Sequence, residues 1–104
     1  MQRVFIYAYE EEYGGWHGMN NMQVIEAASL EIANEIGYEM AQEVIESYDC
    51  FDEEADLSDT LVWEIYKIKS DIQLSTRELD RICSQMGEED FIEEYCEPDM
   101  WEVE

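Results

Sequence analysis

Between Arg3 and Lys67 the chain contains no Lys or Arg, yet that stretch holds sixteen Asp and Glu. Over the whole sequence 28 acidic side chains stand against five basic ones, Arg3, Lys67, Lys69, Arg77 and Arg81, for a formal net charge of −23. Self-repulsion of that size opposes compaction and favours encounter with positively charged surfaces. Any fold must therefore be held by a real apolar core, and the material for one is present. The 104 residues are 46% hydrophobic and 12% aromatic, with one Pro and five Gly, which acidic disordered tails are not. A domain of this size retains a net stability of roughly 5–15 kcal/mol. Carboxylates beyond what solubility requires are a burden on that margin, and their number points to selection for another purpose.

The length fits a single acidic domain over 1–104, without internal repeat. The longest apolar run, Val4 to Tyr9, is far too short to span a bilayer. The N-terminus has no basic region ahead of an apolar segment and cleavage site. The expectation is a cytoplasmic protein that does not engage membranes. Cys50, Cys83 and Cys96 form an odd set without a CxxC pair, which fits free thiols in a reducing compartment better than a disulfide framework.

Arg3 to Tyr9 is aromatic and β-branched, and places Phe5, Tyr7 and Tyr9 opposite Val4, Ile6 and Ala8, as an interior strand does. A loop with Gly14, Gly15 and Gly18 follows. Asn20 or Asn21 is then positioned to cap a helix running through Tyr48, divided by Gly37. Its second half is amphipathic, with Met40, Ala41, Val44, Ile45 and Tyr48 on one arc and Glu35, Glu39, Glu43 and Glu46 on the other. Asp49 to Asp59 is an acidic connection. Thr60 to Ile68 alternates as a second strand, with Val62, Tyr66 and Ile68 on one face and Leu61, Trp63 and Ile65 on the other. Ser75 and Glu78 form a capping box for a helix with an apolar stripe of Leu79, Ile82, Cys83 and Met86, stopped by Gly87. Glu88 to Cys96 suggests another short helix before Pro98, and Met100 to Val103 a final strand or docking tail. The order predicts an α+β domain: a small, mainly antiparallel sheet with helices packed on one face. A mostly helical arrangement with a minor hairpin is the alternative.

The chemistry most strongly suggested is presentation of anions. Residues four apart on a helix advance by about 6 Å, so Glu35, Glu39 and Glu43 read as a row of carboxylates flanked by Glu31 and Glu46. A nucleic-acid strand carries charge at a comparable spacing, about one phosphate per 3.4 Å of axis. Like charges at this helical spacing cost about 0.2–0.5 kcal/mol per pair, and ordinary surface helices intersperse Lys or Arg there. Asp49, Asp52, Glu53, Glu54, Asp56 and Asp59 extend the anionic sequence, and Trp16 is a candidate aromatic anchor, as is Trp101. Trp63 reads as core.

Other chemistries find weaker support. The six acids from Asp49 to Asp59 are oxygen ligands in type, but lack the D-x-D-x-D-G order of a calcium loop. His17 and the three cysteines match no usual zinc spacing. There is no nucleophile elbow, phosphate-binding glycine loop or HExxH, and acid pairs are unavoidable among so many carboxylates, so catalysis is disfavoured and no cofactor or metal is implied. Four bases after Tyr66 cannot make a nucleic-acid groove beneath this net field, which disfavours direct nucleic-acid binding.

In size, charge and carboxylate spacing the chain resembles the small acidic DNA-mimic inhibitors of phages and mobile elements, including anti-restriction and anti-CRISPR proteins. Glu31, Glu35, Glu39, Glu43, Glu46 and the acidic connection carry the resemblance; no family signature accompanies it, and these inhibitors share no common fold. It implies a non-enzymatic inhibitor acting in the host cell cytoplasm, occupying the basic nucleic-acid channel of a bacterial defence nuclease or CRISPR effector by competition. An antitoxin or immunity protein against a nuclease toxin is the alternative, and a divalent-cation-binding protein a more distant one. Oligomeric state is left open by the sequence.

Overall fold

The computed structural model describes residues 1–10, 20–46 and 61–101. Within them the elements run β1 (Gln2–Glu10), β2 (Asn20–Ala27), α1 (Leu30–Glu46), β3 (Leu61–Ile68), α2 (Thr76–Cys83), α3 (Glu88–Tyr95) and β4 (Cys96–Met100). The four strands form one antiparallel sheet in the order β2-β1-β3-β4, so the fold is α+β. The most apolar strand, β1, lies inside the sheet, with β2 and β3 as its neighbours.

Side chains alternate across each strand, and opposed residues of antiparallel neighbours share a face. Val4, Ile6 and Ala8 meet Lys67, Ile65 and Trp63 across β3, while Phe5 meets Tyr66 on one side and Val24 on the other. The sheet therefore has two apolar faces, and both are covered. Ala33, Met40, Ala41 and Val44 of α1 bury Val4, Ile6, Ala8, Ala27 and Ile65. Leu79 and Cys83 of α2 and Phe91 of α3 bury Phe5, Val24 and Ile68.

The antiparallel α+β class matches the sequence reading, but the helices lie on both faces of the sheet, not one. The physical cause is β1 itself: Val4, Ile6 and Ala8 are buried on one face and Phe5 on the other, with Tyr7 and Tyr9 half-buried beside it, so both faces need cover.

The same double coverage explains why β2 resembled the start of a helix. Val24 and Ile25 point to opposite faces, each buried or half-buried, so consecutive apolar residues distribute all round a helical wheel as well. The helix begins instead after Ser29, whose hydroxyl accepts from the Ile32 amide at 3.3 Å while its carbonyl accepts from Ala33. Gly37 does not divide it. A Cβ there would stand 2.8 Å from Trp63 Cγ and Nε1, so glycine lets α1 lie directly against the indole.

On the other face the capping box is formed as expected: the Glu78 amide donates to Ser75 Oγ at 3.1 Å, and the Ser75 amide to Glu78 Oε2 at 3.3 Å. Gly87, expected to stop α2, is instead the N-cap of α3 with extended backbone, and α2 ends at Ser84. The last strand begins earlier than expected, at Cys96, and takes Pro98 in stride because β4 is a sheet edge, where a missing amide donor costs little.

Cys83 and Cys96 are free thiols buried in this second core. Burial pushes their ionisation up, to about 11 for Cys83 with Asp80 adding to the shift, and to about 12 for Cys96. The thiolate is the reactive form. Iodoacetamide at pH 8 is therefore expected to leave both unmodified in the native protein while labelling them in urea. Peptide mapping reads each site separately, and native labelling at the unfolded rate would contradict their burial.

Candidate partner-binding surface

Helix α1 buries the arc of Ala33, Met40, Ala41 and Val44 and turns Glu31, Glu35, Glu39 and Glu43 outward, all exposed. Each step of four residues rotates a side chain by about 40° around the axis while advancing about 6 Å. Three glutamates consequently stay together. Glu31, Glu35 and Glu39 border one groove of about 880 Å³, whose remaining lining is Asn34, Tyr38, Gln42 and Trp63. Glu43 has rotated toward the β2 edge, where Asn21 Nδ2 donates to its Oε2 at 2.8 Å. Glu46 closes the helix. Asp49, Asp52, Glu53, Glu54, Asp56, Asp59 and Trp16 lie outside the described residues.

The groove contains aromatic surface that the sequence did not assign to it. Tyr38 is 48% exposed and meets the Trp63 ring edge-on at 5.9 Å. Trp63 Nε1 donates to Asn34 Oδ1 at 3.2 Å, which fixes the indole plane beneath the helix. Trp63 is thus both core and groove wall: half-buried, it packs on the α1 core and lines the surface beside the glutamates. The available signal was Tyr38 itself, a large ring placed between Glu35 and Glu39 on an arc otherwise polar.

Electrostatically, the contacts of Arg3, Lys67 and Lys69 do not reach the ridge of Glu31, Glu35 and Glu39. The Arg3 guanidinium donates to two carbonyls of the segment before α2, Leu74 at 2.5 Å and Ile72 at 2.7 Å. Lys69 reaches the carbonyls of Glu93 and Glu94 at 3.4 and 3.5 Å, near the C-terminal end of α3, where the helix dipole favours a cation. Lys67 lies over the Trp101 ring, 5.7 Å from its centroid. Arg77 and Arg81 are on α2, across the sheet from α1. Trp101 serves as packing against the first core and as the seat for Lys67.

No group of three or more His, Cys, Asp or Glu among the described residues is arranged to hold a metal ion. No described helix is long and apolar enough to cross a membrane. Comparison with protein-family models, with characterised proteins and with solved structures finds no match to this chain.

Proposed function

We propose that the protein is a non-enzymatic inhibitor that imitates nucleic acid and occupies the basic nucleic-acid channel of a bacterial defence nuclease or effector complex. One observation carries this reading. Glu31, Glu35 and Glu39 stand exposed along about 12 Å of a single helix, and the described cations that make contacts are committed elsewhere. Basic channels built for phosphates meet here an anionic edge of similar spacing. Charge complementarity speeds encounter and excludes like-charged partners, while Tyr38 and Trp63 supply apolar contact that distinguishes one basic partner from another.

The test is inhibition of DNA cleavage across a panel of purified restriction nucleases and CRISPR effectors, with a nuclease toxin as a further arm. Against a susceptible nuclease, inhibition should weaken with rising salt and be relieved by excess non-cleavable duplex. The triple variant Glu31→Gln, Glu35→Gln, Glu39→Gln is expected to inhibit about tenfold to a hundredfold less well, three exposed ion pairs contributing at most about 1 kcal/mol each. Glu93→Gln with Glu94→Gln on α3 serves as the control that retains inhibition. Equal potency of the triple variant and the native protein would overturn the assignment of this surface. Inhibition of the toxin alone would favour an immunity protein.

A further inference from the structure

The face of the sheet opposite α1 carries a second opening of different character. Between β1, β3 and α3 lies a cleft of about 390 Å³, walled by Tyr7, Tyr9, Tyr66 and Ile92 and rimmed by Glu64, Glu88 and Glu89. Tyr7 and Tyr9, two apart on β1, stack with centroids 4.8 Å apart. Tyr66 donates its hydroxyl to Glu64 Oε1 at 2.7 Å, which fixes both the ring and the carboxylate. The volume falls near the lower end of ligand-binding cavities.

We propose that this cleft is a binding site for an arginine side chain presented by a protein partner. Aromatic faces attract cations through the ring quadrupole, and a planar guanidinium both stacks on a ring and bridges carboxylates with its fork of donors. The lining offers both partners at once: rings from β1 and β3, and carboxylates from two elements, Glu64 on β3 and the Glu88–Glu89 pair on α3. Tyr7 and Tyr66 stay neutral across physiological pH, because burial, with the Glu88 and Glu64 charges adding to it, raises Tyr7 to about 12, and burial with the Glu64 hydrogen bond raises Tyr66 further. Cation-on-aromatic packing already occurs in the molecule where Lys67 covers Trp101. Among the described residues no Lys or Arg lines this cleft.

The site does not depend on the proposed nucleic-acid mimicry, since it lies across the sheet from the α1 ridge. Its test is titration of the full chain, followed by two-dimensional NMR, with the capped tripeptide acetyl-Gly-Arg-Gly-amide and its lysine and citrulline counterparts. The arginine peptide is expected to saturate with a Kd of about a millimolar. The shifts should centre on Tyr7, Tyr9, Tyr66 and Ile92. Lysine is expected to bind about three- to tenfold more weakly and citrulline not measurably, because one lacks the planar fork and the other the charge. Glu88→Gln with Glu89→Gln, both at the first turn of α3, should weaken the arginine peptide several-fold. The α1 triple variant should leave it unchanged. Shifts confined to α1, equal binding of arginine and lysine, or no saturation by about 10 mM peptide would overturn the proposal.

Discussion

Truncating Phe5 to alanine is expected to lower the stability of the protein by about 3–5 kcal/mol, the usual range for a fully buried Phe whose surroundings cannot collapse. Phe5 has no exposed surface, lies on an interior strand and packs its ring against Phe91 at 4.7 Å between centroids. Its removal opens a void bounded by β1, α2 and α3 together. Ile6→Ala, one residue further, is expected to cost about 2–5 kcal/mol by the same mechanism on the opposite face. The pair tests the two-sided architecture. With helices on one face only, one of these side chains would look toward water, and its truncation would shift stability by no more than about 0.5 kcal/mol. Urea unfolding followed by circular dichroism, in enough salt to screen self-repulsion, measures both; a negligible cost at either position would contradict the double-sided core.

Gly37→Val is expected to cost about 3 kcal/mol, the upper part of the range for overpacking a filled interior. Intrinsic helix preference argues mildly the other way, since glycine in a helix interior is about 1 kcal/mol worse than alanine. Sterics decide the sign. The first added carbon alone would stand 2.8 Å from two atoms of the Trp63 ring, and that ring is held by its bond to Asn34 rather than free to swing aside. Valine adds two methyl groups in the same confined space. Unfolding midpoints give the loss, and displacement of the Trp63 indole N–H resonance reports its cause. An unchanged midpoint would mean that the helix and β3 separate more readily than their packing implies.

These two residues also show how far the sequence could be read. Features whose cause is local were legible: the Ser75–Glu78 box needs only four residues, and the alternation of β1 and β3 is visible within each strand. Gly37 looked like a helix break because its reason lies in Trp63, 26 positions downstream, and nothing near it in the sequence announces that contact. Strand β2 was hidden for a related reason. Its apolar residues face both ways, into two cores made by elements that come later in the chain, so period two was masked. At the candidate site, helical spacing put Glu35, Glu39 and Glu43 in one row flanked by Glu31, whereas the groove gathers Glu31, Glu35 and Glu39. The turn of Glu43 toward Asn21 followed from the drift of that same spacing once β2 was in place, and the aromatic wall from Trp63 became visible only in three dimensions.

The commitment of Arg3 and Lys69 to backbone carbonyls, and of Lys67 to an indole face, has a thermodynamic consequence for the α1 ridge. With no Lys or Arg contact at Glu31, Glu35 or Glu39 among the described residues, this part of the ridge draws its neutralising charge from the ionic atmosphere, as a phosphodiester backbone does. Any basic surface that docks there sets sodium or potassium ions free, and their gained translational freedom becomes part of the driving force. The few cations the fold keeps for itself thus determine whose entropy rises when the ridge is covered.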